Sequence, residues 1–423
     1  MNAWLDPDAV NALNEQRITW RWRGFPSEAH GMTVGDFLAT NSAVASFSGP
    51  LLVADRRALT HNVTTFARWC DQQGVSLAPH GKTTMSPQLF AAQLSAGAWG
   101  ITVATASQAR VCREFGVRNI VIANQLLDPG GLAWVARELQ SGSDPRILCW
   151  VDSVAGVRAA DEVLERLHPQ RPLEVLVEIG VPAGRSGCRT NDEAVVVAQA
   201  VEASAWLRLA GVAGYAAVAA DVGHVNRFLF RMVELTQALD AAGHFADANE
   251  IIVSAGGSMY FDRVAEILGP TTASRPVRTL LRSGCYVTHD DGIYAERTPR
   301  RRGVAGAPEL RSALAIWGQV TSQPEDSLAI VTMGKRDVAY DEGLPVPRLH
   351  GRGGIGEGIP LVGSEVVELN DQHAYLHFDV AQPLHPGDWV GFGISHPCSM
   401  FDRWSAIPVV EDGIVVDVLQ TFF

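Results

Sequence analysis

Short apolar runs alternate with helix-like segments along the middle of the chain. The runs number eight, at 75–82, 100–105, 119–124, 147–153, 173–180, 209–216, 250–258 and 278–287. The intervening segments have helical spacing; in 86–98, for example, Ser86 can cap a helix that starts at Pro87. Apolar strands alternating with amphipathic helices indicate a parallel sheet, and eight such units can close a TIM barrel. An open doubly wound sheet is the alternative.

After residue 288 the helical spacing fades and glycine and proline become dense. Short apolar runs separated by turn signals follow, at 315–322, 328–333, 374–380 and 389–395. This pattern is typical of antiparallel strands, and 51-LLVAD-55 can join the same sheet. We predict an α/β protein with a (β/α)8 barrel at 56–288 and a second, mainly antiparallel β domain formed by 1–55 and 289–423.

One glycine motif invites a dinucleotide-binding interpretation. The segment 351-GRGGIG-356 matches G-x-G-x-x-G, but the pattern predicts neither a strand before it nor a helix after it. A dinucleotide site needs both, so we interpret the segment as a flexible loop.

Composition excludes several classes of function. The chain has 423 residues, 47% of them hydrophobic, which is enough for two domains with large cores. Acidic residues number 46 against 34 basic ones, giving a net charge of −12, which argues against nucleic-acid binding. The one basic run, 297-RTPRRR-302, is interpreted as a solvated loop.

Cysteine usage and apolar runs indicate a cellular compartment. The six cysteines are widely scattered, which suits reduced cytosolic thiols better than a disulfide framework. Residues 1–16 lack the apolar core of a signal peptide. The longest apolar run, 210–220, is too short to span a bilayer. We therefore predict a soluble cytoplasmic protein without a membrane partner.

In a TIM barrel the functional residues lie at the carboxyl ends of the strands. Those ends carry Lys82, Thr105, Asn124, Asp152, Glu178, Arg185, Tyr215, 254-SAGGS-258 and 283-SGCY-286. Each alone has a simpler explanation, such as an exposed lysine or a tight glycine corner. Together, a lysine, an arginine, a tyrosine and a glycine-rich turn suggest an anionic ligand that contains a ring.

The lysine and the glycine turn narrow the ligand further. A lysine amine can form a Schiff base with an aldehyde cofactor and can act as a base. Backbone N–H groups at Gly256, Gly257 and Ser258 can cradle a phosphate. These features point to pyridoxal 5'-phosphate, held at both of its ends.

Five motifs carry a family resemblance. They are PHGKTTMSP around Lys82, VEIGVPAGRSG at 177–187, GY at 214–215, SAGGS at 254–258 and SHPC at 395–398. With them the chain resembles the fold-type III pyridoxal-phosphate enzymes, the alanine-racemase-like barrels, and especially the D-serine dehydratase and D-threonine aldolase branch. The resemblance runs from about residue 48 onward and leaves out the first 40 or so residues.

The SHPC motif contains a candidate metal site. On a β-strand, His396 and Cys398 would point to one face and could share an ion, while Pro397 favours an edge or a loop end. Without the resemblance, a core histidine and an ordinary thiol would be the simpler interpretation. Sulfur with imidazole favours Zn²⁺ over harder ions. Two protein ligands leave positions for water and substrate.

The resemblance also implies residue roles. It implies Lys82 as cofactor-bearing residue and base, and Arg185 and Tyr215 as ring contacts. His80 either orients the substrate or packs at the strand end, and His373 resembles a histidine near the family's metal domain. The implied phosphate contacts are Ser254, Gly256, Gly257 and Ser258.

Cys398 favours one reaction of this branch. D-threonine aldolases tend to show His-x-Asp at this place, whereas D-serine dehydratases show His-x-Cys. The resemblance therefore implies a pyridoxal-phosphate- and zinc-dependent homodimer that removes water from a 3-hydroxy D-amino acid, giving a 2-oxo acid and ammonia. The alternatives are a D-threonine aldolase and a non-catalytic pyridoxal-phosphate-binding protein, which would lack the C-terminal β domain and the metal pair.

Overall fold

A computed structural model of the protein describes residues 5–140, 145–216, 221–351, 353–356 and 358–423. Within these ranges, the α-helices are α1 Pro7–Asn11, α2 Val34–Ala39, α3 Arg56–Gln72, α4 Pro87–Ser95, α5 Ala106–Glu114, α6 Pro129–Glu138, α7 Val154–Leu167, α8 Asn191–Glu202, α9 Val222–Ala241, α10 Phe261–Leu268 and α11 Ile293–Arg297. No helix in the described ranges is both long enough and apolar enough to cross a membrane.

A curled parallel sheet forms the centre of the molecule. Its described strands are β2 Ser76–Leu77, β3 Ile101–Val103, β4 Asn119–Gln125, β5 Arg146–Val151, β6 Leu173–Ile179, β7 Leu207–Tyr215, β8 Ile251–Gly256 and β9 Val277–Leu281. They pair in the order β2-β9-β8-β7-β6-β5-β4-β3. A single parallel bridge between His80 and Thr102 joins the two edges of this order. The barrel prediction is confirmed, and each of the eight predicted runs overlaps one strand.

The second sheet is mainly antiparallel. Its described strands are β1 Leu51–Asp55, β10 Leu314–Glu325, β11 Leu328–Val331, β12 Val346–Gly351, β13 Ile359–Pro360, β14 Glu365–Leu369, β15 Ala374–His377, β16 Trp389–Gly393, β17 Ala406–Glu411 and β18 Ile414–Gln420. β1 lies in the middle of this sheet, antiparallel to β10 and parallel to β17. The predicted domain boundaries, at 55/56 and 288/289, stay predictions.

Two apolar clusters hold these layers together. A small one fills the inside of the barrel and consists of side chains from its strands, including Val121, Leu148, Trp150, Leu176 and Ile252. A larger one runs between the barrel and its helices and continues into the antiparallel sheet. Because the inside of the barrel is packed, the space for a ligand lies at its carboxyl end.

Helix starts follow the sequence signals with one difference. Thr105 accepts a hydrogen bond from the Gln108 backbone N–H and caps α5. Pro87 is the first residue of α4, as predicted, and Ser86 occupies the N-cap position. The Ser86 hydroxyl, however, contacts the Gln88 side chain and does not cap the helix backbone.

Two local expectations need correction. The segment 351–356 does follow a strand, β12, contrary to the expectation, although position 352 lies outside the described residues. The SHPC motif does not continue a strand, because β16 ends at Gly393 and a 3₁₀ turn spans Pro397–Ser399. Pro397 begins that turn, which agrees with the expected loop end.

Candidate active site

A cavity of about 230 Å³ opens at the carboxyl end of the barrel, between the barrel and the antiparallel sheet. Its lining residues are His80, Lys82, Thr83, Ala123, Trp150, Glu178, Arg185, Tyr215, Gly256, Gly257, Ser258, Met259, Arg282, Gly284, Cys285, Ile293, Tyr294, Glu342, His396 and Cys398. The predicted catalytic and metal-binding residues therefore share one cavity, together with most of the predicted cofactor contacts.

Lys82 lies on a 3₁₀ turn, Gly81–Thr83, that follows β2. The preceding residue must be small, because a Cβ on Gly81 would lie 2.7 Å from Ile101 and 2.9 Å from Phe90. The turn is thus pressed against the barrel wall while the half-buried Lys82 side chain reaches the cavity. The position directly after a buried strand therefore presents the Lys82 amine to the cavity.

His80 faces the same space from the end of β2. Burial lowers its pKa well below the usual value, and the nearby cations Lys82 and Arg282 lower it further. The imidazole is therefore neutral at physiological pH. Its Nδ1 atom is buried and has no hydrogen-bond partner among the described residues, which is uncommon for a buried polar atom.

Arg185 and Tyr215 meet at the rim of the cavity. The Arg185 guanidinium lies 5.2 Å from the centre of the Tyr215 ring, a distance at which a cation and a ring attract each other. Burial raises the pKa of Tyr215, although Arg185 opposes that shift. The tyrosine is therefore a neutral hydroxyl that can donate a hydrogen bond.

The glycine-rich turn after β8 offers bare backbone to the cavity. Gly257 has φ +122°, a conformation that side chains rarely adopt, and a Cβ on Gly256 would lie 2.9 Å from the Arg282 guanidinium. Gly256, Gly257 and Ser258 line the cavity. Ser254 does not, because its buried hydroxyl donates to the Leu280 carbonyl and accepts from Arg282.

Arg282 is a site residue that the sequence reasoning missed. It follows β9, is 5% exposed, and donates to the Gly214 carbonyl and the Ser254 hydroxyl. Burial lowers its pKa to about 10, with Glu178 opposing. The signal was a charged residue interrupting the apolar run 278–287. It adds a buried positive charge to the cavity floor.

His396 and Cys398 lie beside a second thiol, that of Cys285. The candidate ligand atoms of the three residues all lie within 4.8 Å of one another. Hydrogen bonding from Cys285 lowers the pKa of Cys398 well below its usual value, against burial, with help from His396 and Thr83. This shift favours the deprotonated sulfur, the form of cysteine that binds metals.

The imidazole of His396 is held from its other side. Its Nδ1 lies 2.8 Å from the Asp341 carboxylate, which leaves Nε2 free to face the thiols. Burial lowers the pKa of His396, but contacts with Cys398 and Asp341 outweigh it and raise it to about 9. A carboxylate that orients a histidine in this way is usual behind metal ligands.

Several strand-end residues serve the fold instead of the cavity. Thr105 caps α5, Asp152 accepts a hydrogen bond from the Gly187 N–H, and the Asn124 side chain accepts one from the Gln125 N–H. His373 is exposed beside β15 and does not line the cavity. A position at a strand end is therefore not enough to identify a residue of the site.

The chain's residues fit both groups that the resemblance implies. For pyridoxal phosphate there are Lys82, a bare-backbone turn, positive charge from Arg185 and Arg282, and an unpartnered His80 Nδ1. The cavity is smaller than the roughly 300–1,000 Å³ of drug-sized ligand sites, which suits a compact ligand. For a metal there are two sulfurs and an imidazole.

A barrel that brings a strand-end lysine and a glycine-rich turn into one cavity has the architecture of the fold-type III pyridoxal-phosphate enzymes. Residues 54–275, just over half of the chain, match the alanine racemase N-terminal domain, and residues 313–410 match the serine dehydratase domain. The chain therefore belongs to the alanine racemase N-terminal domain family. Pyridoxal phosphate is the cofactor expected for this family.

Curated relatives span both reactions of the branch. A D-threonine aldolase from Arthrobacter sp. is 26% identical over 388 residues, covering 89% of this chain and 93% of that protein. A D-threo-3-hydroxyaspartate dehydratase from Delftia sp. (strain HT23) is 28% identical over 303 residues, covering 70% and 73%. Neither match alone decides the reaction.

Solved structures establish the same fold. The D-threonine aldolase from Filomicrobium marinum has a TM-score of 0.73 at 24% identity, covering 89% of this chain and 96% of its own. The Delftia sp. HT23 dehydratase has a TM-score of 0.69 at 22% identity, covering 90% and 99%. A cysteine-to-alanine variant of a D-threo-3-hydroxyaspartate dehydratase is known in a metal-free form.

Proposed function

We propose that the protein is a pyridoxal-phosphate- and zinc-dependent dehydratase. Its substrate would be a 3-hydroxy D-amino acid such as D-serine or D-threonine, and its products a 2-oxo acid and ammonia. The observation that carries this proposal is that Lys82 and the pair His396 and Cys398 line one cavity. A base and a site for the leaving hydroxyl can therefore act on the same small molecule.

Each residue of the cavity would have a distinct role in the reaction. Lys82 would hold the cofactor and then take the proton from the substrate Cα through its amine. Neutral His80 would orient the substrate, while Arg185 and Tyr215 would border the ring and the 256–258 turn would hold the phosphate. When bound, pyridoxal phosphate supplies an electron sink for the charge left on Cα.

His396 and Cys398, which line the same cavity as Lys82, would hold the metal. A zinc ion there supplies a Lewis acid that makes hydroxide a better leaving group from C3. The pKa of Cys398 is lowered well below its usual value, chiefly by the hydrogen bond from Cys285, which favours the deprotonated sulfur that soft or borderline ions bind. That donor type is why we propose zinc over manganese or magnesium.

The aldolase reaction is the second candidate, because the Arthrobacter sp. aldolase matches along 89% of this chain. It would use the same lysine and cavity but break the Cα–Cβ bond. A non-catalytic pyridoxal-phosphate-binding protein would lack a C-terminal β domain. Residues 313–410 of this chain match the serine dehydratase domain, which argues against that alternative. A homodimer in the cytoplasm forms part of the proposal by resemblance to the family.

Product identification separates the two reactions. The purified protein is incubated with pyridoxal phosphate and D-threonine, with and without a chelator, and D-serine and D-threo-3-hydroxyaspartate are run in parallel. We expect 2-oxobutyrate and ammonia from D-threonine, both lost with the chelator. Glycine and acetaldehyde would instead assign the aldolase reaction, and turnover unaffected by the chelator would remove the metal from the proposal.

A further inference from the structure

The turn after β9 brings a third candidate donor to the metal pair. Cys285 begins the 3₁₀ turn Cys285–Val287, and its Sγ lies 3.3 Å from the Sγ of Cys398, 113 residues further along the chain. The position is tightly constrained, since a Cβ on Gly284 would lie 2.6 Å from the His80 carbonyl and 2.7 Å from the Thr83 hydroxyl. The thiol is therefore held at the metal pair by barrel packing.

The surroundings of Cys285 differ from those of the other buried cysteines. Cys70, Cys112, Cys149 and Cys188 all belong to the large apolar cluster. Cys285 is buried but belongs to neither apolar cluster of the described residues. It lines the polar cavity. A packing role explains the other four thiols but not this one.

The donor set and its spacing match catalytic zinc. Catalytic zinc sites have three protein ligands and an open position, and Cys2His is one of the known sets. Two sulfurs at about 2.3 Å from a tetrahedral zinc are about 3.8 Å apart. The observed 3.3 Å between Cys285 and Cys398 needs only a shift of a few tenths of an ångström. Asp341 already engages Nδ1 of His396, which leaves Nε2 as the ligand atom of that ring.

We propose that Cys285 is the third protein ligand of the metal, completing a Cys2His set with His396 and Cys398. This inference rests on the proposed function, since it concerns the same metal. It adds that the ion is held by two sulfurs rather than one, which favours zinc over harder ions. It also places one ligand on the barrel and two on the C-terminal β domain, so that the ion links the two.

The test counts sulfur ligands directly. Zinc K-edge X-ray absorption is measured on the pyridoxal-phosphate-loaded, zinc-loaded protein under reducing conditions, and we expect two sulfurs at about 2.3 Å. Cys285→Ala and Cys285→Ser should each leave one. Competition with a chromophoric chelator should show zinc affinity lowered by more than about 100-fold, since even outer-shell partners are worth about 10- to 100-fold.

Controls separate a ligand from a structural thiol. Cys112→Ala removes a fully buried thiol of the apolar cluster and should leave both the sulfur count and the zinc affinity unchanged. Circular dichroism and Tm show whether each variant is folded, and the count on the unsubstituted protein does not depend on any variant.

The outcomes distinguish this inference from the proposed function. One sulfur per zinc in the unsubstituted protein, with chelator-sensitive dehydratase activity, would overturn the third ligand and leave the dehydratase standing. Two sulfurs that persist in Cys285→Ser would likewise overturn it. A protein that binds no zinc overturns both. Two sulfurs in a protein that proves to be an aldolase support the ligand and overturn the dehydratase.

Discussion

Lys82 is one of only two lysines in the chain, the other being Lys335, although lysine and arginine together number 34. Arginine carries positive charge but its guanidinium stays protonated, so it cannot serve as an amine nucleophile. Lys335 lies in the antiparallel domain, 5.9 Å from the Tyr340 ring, and does not line the cavity. Lys82 is therefore the one side-chain amine among the residues that line the cavity.

This scarcity gives a clean test of the cofactor assignment. Lys82→Ala should abolish the visible absorption of protein-bound pyridoxal phosphate and all turnover, because no other cavity side chain can form a Schiff base. Lys335→Ala is the matched control and should retain both. Borohydride reduction followed by peptide mapping checks the result independently. Label on Lys335, or absorption retained in Lys82→Ala, would contradict the assignment.

His289 gives a prediction on pH and stability. Burial lowers its pKa to about 4 from an ordinary 6.5, with Asp291 opposing the shift. A base with a depressed folded pKa stabilises the fold fully above about pH 6.5 and loses that contribution as pH falls toward 4. Its φ of +50° is one that asparagine tolerates. We therefore expect His289→Asn to flatten the fall of Tm between pH 6.5 and 4.

The exposed His30 provides the control for this measurement. His30→Asn should leave the pH dependence of Tm as it is in the unsubstituted protein. If both variants give the original slope, ionisation of His289 does not contribute to acid destabilisation. Thermal melts followed by circular dichroism across this range are sufficient.

Sequence reasoning reached the residues that lie in local motifs. Lys82 with its flanking His80, the 256–258 turn, and His396 with Cys398 are each recognisable within a few positions. Arg282 was missed, and Cys285, although part of the predicted strand-end segment 283-SGCY-286, was not connected with His396 and Cys398, because each meets its partners far away in the chain. Cys285 meets Cys398 across 113 residues, and no single-sequence pattern encodes that pairing.

At the scale of elements, the segment between β6 and α8 shows how a loop can be fixed from one side chain. The Arg189 guanidinium donates to four successive backbone carbonyls, those of Gly184, Arg185, Ser186 and Gly187, at 2.8–3.0 Å. A planar fork with several donors can satisfy carbonyls in this arrangement, whereas an ammonium cannot. The loop that presents Arg185 to the cavity is thus organised by Arg189.

We expect Arg189→Lys to weaken pyridoxal phosphate binding by about tenfold or more. Each lost hydrogen bond is worth about 0.5–1.5 kcal/mol, and 1.4 kcal/mol is tenfold in affinity. Titration of the cofactor-free protein with pyridoxal phosphate measures the effect. The exposed Arg68 on α3 supplies the control variant Arg68→Lys. Equal affinity in both variants would show that the loop does not depend on the fork.

Secondary-structure elements were predicted better where burial leaves a clear hydrophobic pattern in the sequence. The barrel strands are buried on both faces and read as apolar runs, so all eight were found. The SHPC segment was expected on a strand because i, i+2 spacing fits one. In the structure, a 3₁₀ turn at Pro397–Ser399 holds Cys398 close to His396 instead. β12 was missed because it contains Pro347 and lies within the glycine- and proline-rich stretch 343–360, which resembles a loop.

At the scale of the whole molecule, the N-terminal segment that fell outside the family resemblance touches both domains. The Asp6 backbone N–H donates to the Phe115 carbonyl of the barrel at 2.9 Å. Arg23 forms a 2.7 Å ion pair with Asp337 in the antiparallel domain and lies 3.8 Å from the centre of the Trp404 ring. Ile18, between these contacts, is fully buried. The segment is therefore a strap across the two domains.

Arg23 is the point where this strap can be tested without deleting it. The Asp337 side chain is 1% exposed while that of Arg23 is 40% exposed, so Arg23→Ala leaves a buried carboxylate without its ion-pair partner. We expect a loss of roughly 1–3 kcal/mol and a Tm lower by a few degrees. Asp337→Asn in the same chain should recover part of it, because the charge is gone. Arg21→Ala, also an exposed arginine of the strap, should change little. Equal effects from both arginines, or no recovery in the double variant, would show that the ion pair does not couple the strap to the antiparallel domain.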